Sequence, residues 1–216
     1  MNPLLLPIWI VIGITAAFSW KGFQDYSFFE KYKFNVGAIR NGQQIRMITS
    51  GFLHADWMHF GFNMFTLYMF GPIVISRLGI LFFVLIYLAS LLVGNLLSFY
   101  FNKDNYMYSA IGASGAVSGI VYSAILFEPN MSLFLMFIPI PIPAYLFGIG
   151  YLLYTIYGMK SRQDNIGHDA HFGGAIGGYA LTLFFAPWLI QQQLLMVILL
   201  AIPIVILIVL KKLRKI

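Results

Sequence analysis

Seven long apolar runs constrain this chain more than any other feature. They are Leu4–Trp20, Met58–Ile75, Leu78–Phe101, Ala113–Phe127, Ile142–Met159, Ala170–Ile190 and Leu194–Leu210. Each is about 15–24 residues long, against the ~20 that a helix needs to cross hydrocarbon. A soluble domain carries roughly 25% charged residues; here they are 9%, with 60% hydrophobic. That excludes a soluble single domain and a disordered chain. The absence of cysteine excludes a disulfide framework, a thiol nucleophile and Cys-ligated zinc. A transmembrane barrel needs short alternating strands, which continuous runs do not provide. The reading is an all-α, multi-pass integral membrane protein, forming one domain over residues 1–216.

The first run has no basic flank, and Thr15-Ala16-Ala17 is a poor cleavage site, so it reads as a membrane helix rather than a signal peptide. Residues 21–57 mix charges with Phe23, Tyr26, Phe28, Phe29, Tyr32 and Phe34, a composition suited to a long loop in the headgroup layer. Pro139, Pro141 and Pro143 cannot share a helix, because each removes a donor and clashes with the preceding turn. Residues 131–159 therefore divide into a loop dipping into the bilayer and a helix from about Ile142. The net charge of +6 concerns lipid headgroups and topology, and no nucleic-acid motif accompanies it.

Polar groups at membrane depth are costly, so they are the candidate functional residues. Asp and Glu are absent from all seven runs, which argues against a proton-relay pump and against a di-aspartyl intramembrane protease. There is no His-Glu-x-x-His zinc signature. Three clusters remain. His59-x-x-x-Asn63 places two polar side chains on one helix face. Gly112-Ala113-Ser114-Gly115 opens a short run and continues into a Gly115-x-x-x-Gly119 packing face. Ala170-His171-Phe172-Gly173-Gly174 runs into Gly177 and Gly178. Each alone is also compatible with plain helix packing or an interhelical hydrogen bond. Together they place a Ser and a His at the starts of two helices that can approach closely. That suits a nucleophile and its general base, because a serine hydroxyl is unreactive until a base takes its proton. His59 and Asn63 are then candidate donors to the resulting oxyanion.

At these residues the chain resembles the rhomboid family of intramembrane serine proteases, over roughly residues 40 to 180. The resemblance rests on Gly112-x-Ser114-Gly115, on Ala170-His171-x-x-Gly174-x-x-x-Gly178 and on His59-x-x-x-Asn63, in that family's order. It implies a rhomboid-like bundle of six core helices (about 1–190) plus one C-terminal helix (194–210). It implies Ser114 as nucleophile and His171 as base in a dyad that needs no cofactor or metal. The oxyanion would be bound by the Ser114 N–H, His59 and Asn63. Gly112, Gly115, Gly174 and Gly178 would be supporting residues, Arg46 a structural arginine, and His54 a histidine at a position where the family often has one. The fifth run and the loop Lys160–Asp169 would form a substrate gate. Two departures stand out. Ile45 replaces a common Trp beside Arg46. Ser118 occupies the place, one turn after the nucleophile, of an aromatic that stacks on the His, so here the imidazole should be held another way, for instance by a hydrogen bond.

Spacing sets Asp169 away from His171, which favours a dyad over a triad. His168, His171, His54 and His59 lack the carboxylate or Cys pattern that would complete a metal site. The implied partners are transmembrane protein substrates and the lipid bilayer, with no nucleic acid; the oligomeric state is left open. The implied location is a bacterial cell membrane, with the active site opening extracytoplasmically. The Lys/Arg distribution opposes that orientation, since almost all cations fall outside with only Arg77 inside. A final run that did not fully cross would reduce the conflict. The alternatives are a non-catalytic rhomboid-like scaffold that binds membrane helices and, less favoured, a His-lined ion transporter.

Overall fold

The computed structural model describes residues 5–135, 138–161, 163–164 and 166–213. In chain order the elements are α1 (Leu6–Gln24), α2 (Tyr26–Tyr32), β1 (Phe34–Asn35), α3 (Val36–Arg40), α4 (Arg46–Thr49), α5 (Trp57–Leu78), α6 (Ile80–Asn102), β2 (Ser109–Ala110), α7 (Ser114–Phe127), β3 (Ser132–Leu135), β4 (Ile138–Pro143), α8 (Ala144–Ser161), α9 (His168–Phe185), α10 (Trp188–Gln192) and α11 (Leu194–Lys212). Helices α1, α5, α6 and α11 are long and apolar enough to cross a membrane. With α7, α8 and α9 they form a helical membrane bundle.

Helix α7 is its centre, with every residue from Gly115 to Phe127 buried. Glycine makes this burial possible. A Cβ on Gly174 or Gly178 of α9 would collide with the carbonyl of Gly115 or Gly119 on α7. One on Gly173 would lie 2.9 Å from Gly94 Cα and Val93 O of α6. The backbones of α6, α7 and α9 therefore touch, as small-residue faces allow in a membrane where no hydrophobic effect drives helices together. Deeper in the bundle the Thr182 and Ser123 hydroxyls share a hydrogen bond of 2.7 Å, joining α9 to α7.

Three boundaries differ from the sequence reading. The segment expected to dip into the bilayer is a β-hairpin, with β3 antiparallel to β4 and Leu133 opposite Ile142. Prolines at every second position break a helix, but they place their missing donors along one edge of a strand. The sixth run is interrupted: α9 stops at Phe185 because Ala186 precedes Pro187, and a residue before proline is disfavoured in helical backbone. The loop expected to lie along the interface is a structured assembly. Arg46 is buried and donates Nη1 to the Glu30 and Lys33 carbonyls, at 2.7 and 2.9 Å, and Nε to Gln43 at 2.7 Å. β1 pairs with β2, and Asn95 of α6 holds Met47 O at 2.7 Å.

Helix α11 crosses the bundle completely. Lys211 lies over the rings of Tyr100 and Phe101, at 5.0 and 4.3 Å, beside the end of α6. That returns the basic C-terminal turn to the end where α7 begins. Every described Lys and Arg except Arg77 lies at that end. Arg77 pairs with Glu128 at the other.

Candidate active site

Helix α7 has 14 residues, about 21 Å at 1.5 Å per residue, against ~30 Å of hydrocarbon. Because it lies inside longer helices, its first residue, Ser114, sits below the bundle's rim. The turn before it depends on Gly112, whose φ of +119° is rare for any residue with a side chain. A Cβ there would lie 2.8 Å from His59 Cε1 and Nε2 and 3.7 Å from Ser114 Oγ. Gly112 is thus the gap across which His59 and Ser114 approach one another.

The same turn is pinned from behind. Gly112 N–H donates to Ser50 O at 3.0 Å. Ala113 N–H points at His54 Nε2, at 3.4 Å. Ser19 hydroxyl donates to Phe52 O at 2.9 Å, so its oxygen is left to accept from His54 Nδ1 at 2.9 Å. That network assigns His54 the neutral Nδ1–H tautomer. Burial pushes its pKa down to about 3, the neighbouring His59 adds to the effect and Asp56 opposes it. His54 also packs its ring against that of His59 in an edge-to-face contact, centroids 4.8 Å apart.

Asp56 caps α5 by accepting from His59 N–H at 2.7 Å. One turn on, the buried Asn63 donates Nδ2 to His59 O at 3.2 Å. Asn63, Ser114 and His171 then line one cavity of about 260 Å³, together with Thr66, Ser118, Tyr151 and apolar side chains of α5, α7 and α8. His59 is not among the lining residues and stands beside Gly112. Among the described residues no hydrogen bond joins Ser114 to His171. Such bonds are often long without substrate and tighten in the reacting complex.

Helix α9 delivers His171 through its glycine face. Ala170 O would lie 2.5 Å from a Cβ on Gly94 and 3.2 Å from one on Gly115, so the turn carrying His171 is wedged between α6 and α7. Asp169 turns to α6, where it accepts from Asn102 Nδ2 at 2.7 Å. His168 Nε2 meets both carboxylate oxygens of Asp164 at 3.1 Å. The hydrogen bond to His168 holds the Asp164 carboxyl below its ordinary range. Among the described residues no three His, Asp or Glu side chains converge as a metal-binding group.

Ser118 does not reach His171. Its hydroxyl shares a 2.7 Å hydrogen bond with Tyr151 OH of α8. The Tyr151 ring lies 22° from parallel with the His171 imidazole, centroids 6.1 Å apart. The expected bond to the imidazole is replaced by an aromatic ring from another helix. Sequence reasoning missed Tyr151. The available signal was a phenol in an apolar run, which needs a partner when buried.

The family model of the rhomboid domain matches residues 41–188. The chain is 30% identical to the RHOMBOID-like protein 12, mitochondrial, of Arabidopsis thaliana, over 77% of this chain and 55% of that protein. It is 28% identical to the Rhomboid protein 1, mitochondrial, of Saccharomyces cerevisiae, over 62% and 40%. It is 32% identical to the Rhomboid protease GluP of Bacillus subtilis, over 65% and 26%. The chain thus spans about half, or less, of the length of these relatives.

Proposed function

The chain belongs to the rhomboid family, and from that premise we propose that it is an intramembrane serine endopeptidase that cuts transmembrane segments with a Ser114–His171 dyad. The observation that carries this reading is the convergence of Ser114, His171 and Asn63, from three helices, on one cavity below the rim of an apolar bundle. GluP, named a protease, adds support.

In this mechanism His171 takes the proton from Ser114 Oγ as the oxygen attacks the substrate carbonyl. The oxyanion accepts from the Ser114 N–H, from Asn63 Nδ2 and from His59. His171 then gives its proton to the leaving amine, and an acyl-enzyme on Ser114 remains. Water, deprotonated by His171, attacks that ester and frees Ser114. A substrate helix must unwind to expose its carbonyl, so segments rich in small or helix-breaking residues are the expected targets.

The test is cleavage of a single-span reporter in liposomes by wild type, Ser114→Ala and His171→Ala, with and without EDTA. EDTA-resistant cleavage lost in both variants supports the dyad. Retained cleavage in Ser114→Ala refutes it. A wild type that neither cleaves nor reacts with a serine-directed phosphonate leaves the helix-binding scaffold as the reading.

Orientation decides which side of the membrane is cut. The family resemblance implies an extracytoplasmic opening. The completed crossing of α11 and the collection of Lys and Arg at the Ser114 end favour that end on the positive, cytoplasmic or matrix, side. The chain has no cysteine, so single cysteines at Met107 and Ser76 report the two faces to an impermeant thiol reagent. The relatives include mitochondrial proteins and Bacillus proteins, so the expectation of a bacterial cell membrane is not carried forward.

A further inference from the structure

We propose that Tyr151 is the positioning residue for the catalytic base: a ring on α8, aligned by Ser118 of α7, sets the plane of the His171 imidazole. The inference rests on the dyad reading above. Its evidence is independent of that reading: a ring contact and a hydrogen bond that bridge three helices.

Helix α9 holds the backbone of His171 firmly, through its glycine contacts with α6 and α7, but backbone contacts do not set a side-chain rotation. Among the described residues no hydrogen bond is made by either imidazole nitrogen of His171. The neighbouring rings are Tyr151, nearly parallel, and His168, edge-on with centroids 6.3 Å away. The parallel face fixes the ring plane. Centroid separations of 4.5–7 Å in offset geometry are the attractive range for aromatic pairs.

Tyr151 is itself held. Its hydroxyl is bonded to Ser118 at 2.7 Å, and its other flank packs on Phe147, 10° from parallel with centroids 6.0 Å apart. Phe147 and Tyr151 are one helical turn apart, so they form a two-ring stack along α8 that ends on the imidazole. Ser118 lies one turn after Ser114 on α7. The helix that carries the nucleophile therefore also locates, through a single hydrogen bond, the ring that locates the base. Both residues line the cavity that holds Ser114 and His171, so the arrangement stands beside the reacting atoms without supplying one.

A substitution that removes the ring leaves both catalytic groups present but lets the imidazole rotate away from Ser114 Oγ. Small misplacements of a base cost up to ~10²-fold in rate, while substrate binding along the rest of the bundle is untouched.

The experiment measures kcat and KM for reporter cleavage in liposomes, with the rate of phosphonate labelling of Ser114, for wild type, Tyr151→Leu, Tyr151→Phe and Ser118→Ala. The expected result is a fall in kcat of about 10–100-fold for Tyr151→Leu, with KM within about twofold. Labelling should fall in parallel. Tyr151→Phe, which keeps the ring, should recover most of that loss, and Ser118→Ala should match Tyr151→Phe. Should Tyr151→Leu fail to fold, Tyr151→Met, of similar length and flexible, takes its place with the same expectation. Wild-type kcat in the ringless variants overturns the proposal and leaves the dyad intact. Equal losses in the Leu and Phe variants overturn it as well, since the ring would then not be the active element. A wild type that neither cleaves nor labels overturns the dyad reading, and this inference with it.

Discussion

Replacing Gly174 by alanine adds one methyl group at the tightest point between α9 and α7. The new Cβ would be driven into the Gly115 carbonyl, with Gly115 Cα and C also inside van der Waals distance. These are backbone atoms, so no side chain can swing aside, and α9 must retreat from α7 by about 1.5 Å to reach an ordinary contact. Overpacking of this kind costs about 1–3 kcal/mol, less the ~1 kcal/mol by which alanine favours a helix over glycine. The net loss of stability is therefore modest, about 0–2 kcal/mol. The loss of activity should be larger. Gly174 lies one turn below His171 and Gly115 directly follows Ser114, so the retreat separates the two proposed catalytic groups. A misplacement of about 1 Å costs up to ~10²-fold. The control is Gly150→Ala on α8, where a Cβ would have open space within 4 Å. Thermal unfolding in detergent and reporter cleavage, run on both variants, separate the effects. Gly150→Ala should match wild type or gain slightly in stability. Gly174→Ala should retain a cooperative transition and lose about 30–100-fold in turnover. A Gly174→Ala protein with wild-type turnover would refute the argument that backbone contact between α7 and α9 sets the distance from nucleophile to base.

Other outcomes follow from the same geometry. Asn63→Ala or His59→Ala should each lower kcat by up to ~10²–10³, the scale of a lost oxyanion donor; unchanged rates in both would remove them from the site. His54 has its folded pKa pushed to about 3 against 6.5 unfolded, so below pH 6.5 the unfolded chain binds the extra proton first. Its contribution to stability is thus full above pH 6.5 and is lost as pH falls toward 3. Melting temperature followed from pH 7 to pH 4 should decline in wild type and decline less steeply in His54→Gln. Tyr122→Phe deletes a buried hydrogen bond to Gly148 O of 2.6 Å between α7 and α8 and should cost about 1–2 kcal/mol in thermal unfolding, with cleavage retained.

Hydropathy alone determined that this chain is a bundle of membrane helices, because burying so many apolar residues with so few charges admits no other solvent. Local spacing determined the rest of what was legible. Four residues from His59 to Asn63 place both on one face, and glycines at fourfold intervals after His171 mark a face of close approach. These are properties of one helix at a time. Pairings between elements were not legible. Pro139, Pro141 and Pro143 excluded a helix but did not announce a hairpin, since a strand exists only when a partner such as Leu133 faces it. Ser118 read as a missing aromatic, and only the packing of α8 against α7 and α9 supplied Tyr151 in its place. The last run could have crossed or returned, and only the seating of Lys211 on Tyr100 and Phe101 decided that it crosses. The periodicity of a helix is written into its own residues. The neighbour it meets depends on which backbones can touch, and that depends on the glycine carbonyls and prolines of every other helix at once.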